Sequence, residues 1–512
     1  MTTLRTRLAK AAAVAAVVGL ALTGCAGGGG GGGGAAGDPL PDDQQVLTFV
    51  PNYGIQALDI SKAPLEIGMN QVLSNVMQPL VRFDGESINP VLATEWEWTT
   101  PTSLEFTLRE DVTFSDGTPF TAADVVGSLD RYIAQQQALA ASLSVIKDYQ
   151  ATDDHTVVIN TNAPTGTLVG ILSMVYIGQA AHSTDDAWWA EPIGTGAFVI
   201  DDYVADDHVT LVRNEDYWGE KAKLNTLTFK IIPDINAKMT GLSNNEVQVV
   251  NDVPFDQIAS IESMPDVELT QIDSLNYWFV WFENEHTPLD DVRVRTALWE
   301  ALDIPTILKS LYGDTVSPME SFCPSSAFGC LPADLPEYDP EHAKELLAEA
   351  GYADGFETDI IFNTGVAGTN NLVQAMISAW DEIGVTVEPK GMDAATWLAE
   401  FTALNWDMDV QPNQTITGDA DYTLNRLYSC AAARLGYCNP ELDALMTQAQ
   451  QSTDEAERTE LYQQVVDIMA EDVPAIPLFQ VKANVAARSN VQGLEIPPTE
   501  FIDFSTVYLT QQ

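Results

Sequence analysis

The sequence predicts an α/β protein on three observations. From Val46 onward, strand-like and helix-like segments alternate along the chain, as expected of a sheet covered by helices. Several helical stretches carry their own start signals, a capping residue three positions ahead of an acid or a proline at the first helical position. Hydrophobic residues make up 46% and aromatics 9% of the 512 residues, enough to fill the cores of about two or three domains. No fixed-period repeat is present, and no internal apolar run approaches the ~20 residues of a membrane-spanning helix.

The first element is a leader. Arg5, Arg7 and Lys10 precede the apolar run Ala11 to Leu22, which is short for a mature spanning helix and reads as a secretory signal over residues 1–24. Leu22-Thr23-Gly24-Cys25 resembles the lipobox of bacterial lipoproteins, which implies that Cys25 becomes an acylated, palmitate-bearing N-terminus anchored to a membrane without spanning it. Residues 25–45, with glycine at every position from 27 to 34, read as a tether, and a Gly-rich coil of that length has an r.m.s. span of roughly 25 Å. The tract matches GxGxxG only trivially: no strand precedes it and no helix follows, so it is not a dinucleotide fingerprint.

The strand candidates of the folded body are SLEFTLRE, HTVVIN, HVTLVRN and LTFKIIP, where apolar and polar residues roughly alternate. FSDGTPF (Phe114 to Phe120) reads as a turn leading to a helix capped by Thr121 with Asp124 three residues on, and with Val125, Leu129 and Tyr132 on its inner face. PIGTGAF places glycines around Thr195, where backbone can closely approach another segment or a ligand, and NEDYWG offers Tyr217 and Trp218 for packing. In DPEHAKELLAEAG, Asp339 caps, Pro340 opens the helix and Gly351 stops it. Ser452 and Glu455 predict the start of a further helix whose inner face is Tyr462, Val465, Val466 and Met469. The aromatic strand SLNYWFVWFEN sends Tyr277, Phe279 and Trp281 to one side and Trp278, Val280 and Phe282 to the other, so either set is free to wall a cleft or fill a core.

Charge and motifs narrow the function. Asp and Glu outnumber Lys and Arg 74 to 23, a formal net charge of −51, which repels nucleic acid and anionic lipid and excludes a DNA-binding role. Of the five cysteines, four lie beyond Cys25 in two short-range pairs, Cys323/Cys330 and Cys430/Cys438. Three connectivities are open, and closeness in an exported chain favours two local disulfides. GxSxG, HExxH and GxxxxGK[ST] are absent, and the five histidines show no ligand spacing, so neither an enzyme nor a metal site is expected.

Taken in order, VMQPLVRFDG (Val76 to Gly85), PVLATEWEW, LEFTLREDVTFSDGTPFTAADVVGSLDR, PIGTGAFVIDDY, VTLVRNEDYWG and LTFKIIPDINAKMTGL resemble the extracytoplasmic solute-binding proteins of peptide, nickel and related ABC importers. PLDDVRVRTALWEALD, YDPEHAKELLAEAG, EIGVTVE and the run from Tyr437 to Phe479 continue the resemblance through the second half. It implies a two-lobed periplasmic-binding-protein-like fold with an extra subdomain in the first lobe. Lobe I would be 46–273 plus 481–512, lobe II 274–480, and the ligand would lie between them. It also implies a monomer without cofactor that closes by a hinge motion around a short peptide and delivers it to permease subunits driven by cytoplasmic ATPases. A nickel chelate, an oligosaccharide or another polar solute is the alternative ligand.

Peptide binders of this family often pair an aspartate with the ligand's N-terminus. TGDADYTLNRLY places Asp419 in that context with Asp421 two residues on, while the familiar Asp-Pro that follows is missing here. Arg426 and Arg434 are candidates for the ligand's carboxylate or for surface ion pairs. Tyr277, Trp278 and Trp281 on the crossing strand, with Tyr53, Trp397 and Trp406, are the aromatic cleft candidates.

Overall fold

A computed structural model describes residues 37–511 except 64–66, 86, 137 and 367. The leader, Cys25 and the glycine tract lie outside the described residues. The strand Val46–Val50 pairs in parallel with Thr226–Lys230 on one side and Val249–Val250 on the other, and so begins an eleven-stranded sheet. From one edge the strands run Val385–Met392, Phe356–Asn363, Met408–Gln414, Val267–Phe282, Ala475–Arg488, Val249–Val250, Val46–Val50, Thr226–Lys230, His208–Arg213 and Phe198–Val204, with Val316–Pro318 added beside Ala475–Arg488. A separate four-stranded antiparallel sheet is built from Ala93–Thr100, Ser103–Leu108, Thr156–Thr161 and Ile146–Asp153.

Two large hydrophobic cores flank the middle of the long sheet. The first gathers residues between Leu47 and Phe229 with Val485 to Leu509, and its centre is Phe49 packed edge-on against Phe229 at 5.4 Å and Phe504 at 5.3 Å. The second gathers Leu275 to Phe479 together with Phe83. In it Trp281, Phe401, Trp397 and Trp406 stack, with ring centroids 5.5, 5.3 and 5.9 Å from Phe401. Strand Val267–Phe282 crosses from one side of the sheet's midpoint to the other, antiparallel to Ala475–Arg488.

Local signals behave as their chemistry demands. Thr121 and Asp124 form a capping box, and Asp339 accepts from the N–H groups of Glu341 and His342 at the start of the helix Pro340–Glu349. The last long helix, Glu455–Asp472, is capped by Asp454 and not by the expected Ser452, which instead ends the preceding helix Pro440–Gln451 and turns its hydroxyl to Glu457. Both disulfides are the local ones, Cys323–Cys330 and Cys430–Cys438. The close approach expected of PIGTGAF is to protein: a Cβ on Gly194 would lie 1.8 Å from the Val76 carbonyl oxygen. The folded body also starts earlier than the tether reading allowed. Leu40 donates its N–H to the Leu509 carbonyl at 2.8 Å, and Asp42 is held by Arg213 at 2.8 Å, so the stretch before Val46 is docked rather than free.

Asp409 sits fully buried beside the stacked aromatics, accepting from Trp397 Nε1 at 2.8 Å and from Gln411 Nε2 at 2.7 Å. No cation pairs with it among the described residues, and burial pushes its carboxyl up to about 7. A raised carboxyl favours the protonated fold, so its stability contribution is complete below the ordinary carboxylate range and is lost as pH climbs through about 7. Asp409→Asn is therefore expected to gain about 2–3 kcal/mol over the parent between about pH 5 and pH 8, read by denaturant unfolding at both ends.

Candidate ligand site

Strand Met408–Gln414 leads into a loop, Thr415 to Asp419, that opens the helix Ala420–Tyr428. The loop is fixed from both ends. Thr415 donates its N–H to the Leu275 carbonyl at 3.1 Å, while Phe328 and Gly418–Ala420 exchange main-chain bonds of 2.8 and 2.9 Å. Residues of both cores meet around it, leaving three adjoining cavities.

The widest, about 580 Å³, has Ser142, Thr167 and Ile171 on one side and Asp421, Arg426, Arg434 and Gln450 on the other. A second of about 360 Å³ lies among Trp96, Trp98, Gly166, Phe328, Asp419 and Arg458. The third, about 330 Å³, is lined by Phe83, Met174, Tyr176, Ile416 and Phe501, with Arg82 and Asp503 paired at 2.8 Å.

Asp419 and Asp421 are two residues apart and chemically unlike. Asp419 is the N-cap, accepting from the Asp421 N–H at 3.0 Å. Its two oxygens take Nη2 of Arg458 at 2.8 and 2.7 Å, and Tyr462 adds a hydroxyl at 3.4 Å. Arg458 in turn stacks over Phe328 at 4.9 Å. The negative charge of Asp419 is thus matched within the protein.

Asp421 has no such partner. Its oxygen takes a long bond from Asn425 Nδ2 at 3.4 Å and a side-chain bond from Gln450. Burial, and then the neighbouring Asp419 charge, push the carboxyl up to about 7. Across the same cavity the cations lack acids. Arg426 bonds Asn413 Oδ1 at 2.8 Å and covers the Tyr422 ring at 4.5 Å. Arg434 makes no ion pair among the described residues, and burial together with repulsion from Arg426 pulls its guanidinium below the usual range. One under-bonded carboxylate and two unmatched guanidiniums therefore face one space.

The aromatic candidates lie elsewhere. Tyr277 and Trp281 are completely buried, bonded to Thr423 and Tyr428, and Trp278 stacks on Phe479 at 5.6 Å. Trp406 is buried and Trp397 is committed to Asp409. Of the two readings open for the crossing strand, cleft wall or core, its aromatics take the second: a central strand of a sheet covered on both faces buries both sets of side chains. Tyr53 is 44% exposed and lines none of the three cavities; desolvation, and then the charges of Glu500 and Asp252, raise its phenol to about 12. Thr167 and Gln450 line the main cavity without having been singled out, since the second threonine in APTGT and a glutamine in QAQQ carry no sequence signal of their own. Among the described residues no group of three His, Cys, Asp or Glu side chains is placed to hold a metal ion.

With that geometry in view, residues 87–434 match the family described as bacterial extracellular solute-binding proteins, family 5, and the chain belongs to it. It is similar to heme-binding protein A of Haemophilus influenzae, 29% identical over 459 residues that span 80% of this chain and 82% of that one. It is also similar to the glutathione-binding protein GsiB of Shigella flexneri, 27% identical over 415 residues, 78% and 81% of the two chains. Among solved structures, HbpA2 from Haemophilus parasuis superposes with a TM-score of 0.82 at 26% identity, covering 91% of this chain and all (100%) of that one. A dipeptide-binding protein from a Pseudoalteromonas strain in complex with Met-Leu shares the fold with a TM-score of 0.76 at 23% identity, covering 91% and 100%. The fold is two-lobed, the relatives are transport-associated binding proteins rather than enzymes, and the chain is a solute-binding protein of the ABC-importer type.

The pairing of Asp419 with Arg458 gives a stability test. Arg458→Leu strands a buried carboxylate and is expected to cost about 3 kcal/mol in unfolding free energy, and adding Asp419→Asn should recover most of that loss. Equal losses in the single and double variants would show that the two charges are not coupled.

Proposed function

We propose that this protein captures short peptides or peptide-like conjugates that carry both an ammonium and a carboxylate, and hands them to a membrane permease. The observation that carries the reading is the imbalance across the main cavity. Asp421 bonds no cation, Arg458 being committed to Asp419, while Arg426 and Arg434 form no ion pair among the described residues, and the space between them, about 580 Å³, is of the size that small-molecule sites take. A zwitterionic ligand satisfies both ends at once, its ammonium on Asp421 and its carboxylate on a guanidinium fork. Glutathione and Met-Leu, named for two of the similar proteins, both have that chemistry. Asp419 is then a supporting residue rather than the ligand's partner.

The remainder of the reading is the extracytoplasmic setting. A monomer with lobe I at 46–273 plus 481–512 and lobe II at 274–480 would be held at the outer face of a membrane by lipid on Cys25, needing no cofactor and meeting the permease in its closed form. The lipobox-like Leu22 to Cys25 supports the anchor, and the two separate cores support the lobes.

Isothermal titration of glutathione and Met-Leu tests this directly. Asp421→Asn and Arg434→Gln should each weaken the bound ligand by about thirtyfold or more, the scale of removing one partner of a desolvated charge pair. Because an ammonium favours the ionised carboxylate, binding near pH 7 should release a fraction of a proton, seen as an enthalpy that changes between phosphate and Tris buffers. Affinity should rise from about pH 6 to about pH 8 as Asp421 ionises, and Asp421→Asn should abolish that slope. Binding of heme or a neutral sugar with no response to either substitution contradicts the proposal.

A further inference from the structure

The helix Pro440–Gln451 ends at the cleft, and its last carbonyls are satisfied from different parts of the chain. A helix leaves its final turn of carbonyls without intrahelical donors, so each needs a partner from outside or from water. The Ala449 carbonyl accepts from Arg458 Nε at 3.1 Å, and the Gln448 carbonyl accepts from the Ser452 N–H at 3.0 Å. The Gln450 carbonyl accepts from the N–H of Gly166 at 2.7 Å. That donor comes from across the cleft: Leu168 to Ile177, directly after Gly166, pack in the first core, whereas Leu442 to Met469 pack in the second.

The approach is too close for any side chain. A Cβ on residue 166 would stand 1.8 Å from the Ser452 carbonyl oxygen and 2.9 Å from its carbon. Both are main-chain atoms, which cannot swing aside as a flexible side chain can. Gly166 is not among the glycines with positive φ, so the position requires the missing side chain and not the backbone freedom.

The same contact reaches into the ligand cavity from both sides. Gln450, whose carbonyl takes the Gly166 N–H, lines the cavity beside Asp421, and its side chain favours the ionised form of that carboxyl. Thr167, the next residue after Gly166, lines the cavity with a buried hydroxyl that has no hydrogen-bond partner among the described residues. Bringing Gly166 onto Gln450 thus places Thr167 in the wall of the cavity that Asp421 also lines.

We infer that the main-chain bond from Gly166 to Gln450 is the clasp that holds the two lobes closed over the ligand, with Gly166 as a positioning residue for capture. Gly166 touches no cavity atom of the Asp421 set itself and acts by permitting the approach. Apparent affinity scales with the fraction of molecules in the closed form, so a side chain at 166 weakens capture without removing any ligand contact. The inference rests on the two-lobed family fold and not on which ligand is bound.

The test is hydrogen–deuterium exchange on the full chain with Gly166→Ala and Gly166→Val, each measured alone and with glutathione as the probe. The wild-type Gly166 amide should be protected in at least one condition. In that condition both variants should exchange faster, by about tenfold or more, in the peptides covering 163–171 and 417–426, with valine exceeding alanine. Without glutathione, exchange in the strand Val267–Phe282 and the unfolding temperature should stay at wild-type values, which a merely structural role would not allow. A wild-type Gly166 amide unprotected in both conditions overturns the clasp. So does unchanged exchange on the cleft faces, or a loss of protection in the crossing strand of the ligand-free protein. Because exchange on the cleft faces is read without reference to affinity, failure of the clasp is distinguishable from failure of the zwitterion reading, which shows as absent binding with the clasp intact.

Discussion

Strands Val267–Phe282 and Ala475–Arg488 pair antiparallel across the boundary between the two large cores, and their register breaks between Asp273 and Tyr277. The ladder shifts once more between Trp278 and Phe279, and side chains from Ser274 to Phe282 are buried except Asn276, whereas those of Val267 to Asp273 are half-buried or exposed. At the break the main chain bonds to other groups. Leu275 donates its N–H to Pro498, Gln480 donates through its side chain to the Ser274 carbonyl, and Asn276 reaches Glu500, which also takes Asn251 from the first core's side. A hinge needs a short stretch that absorbs backbone rotation without leaving buried polar groups unpaired, and side-chain partners at a ladder break supply that.

The position of the main cavity follows from this constraint. The strand Met408–Gln414 pairs with the far half of the crossing strand, and the loop after it returns to the break in the ladder through the Thr415–Leu275 bond. Asp419 is pinned by Arg458 on the helix Glu455–Asp472, which leaves Asp421, two residues on, lining the cavity with weak partners. Asp419 has two consequences: it caps the helix through the Asp421 N–H, and its charge, opposed by that of Arg458, adds to burial in raising the Asp421 carboxyl. A protein with 74 acids and 23 bases that leaves two arginines unmatched beside one cavity is using scarce positive charge there, where a ligand's carboxylate can meet it.

Much of the architecture was legible in the sequence because local chemistry dictates it. The Thr121–Asp124 capping box, the Asp339–Pro340 helix start and the alternation in the strands of the small sheet form regardless of what they later pack against. The ordered blocks carried the family. The aromatic strand was not legible in the same way: alternation says which side chains share a face, but only the sheet order shows that both faces are covered. For a similar reason Asp419 looked like the ligand carboxylate, since the arginine that neutralises it lies far along the chain at Arg458. Asp421, Arg426 and Arg434 were readable as charges in a promising segment, while Thr167, Gln450 and Gly166 reach the site only through contacts between distant segments.

The central claim is that the cleft selects for a molecule bearing both an amine and a carboxylate. The most direct measurement is mass spectrometry of whatever small molecule is released, on denaturation, from protein purified under native conditions from its own host. The account predicts a peptide or amino-acid conjugate with a free amine and at least one carboxylate, lost from protein carrying Asp421→Asn. A released ligand without an amine, retained by that variant, would contradict it.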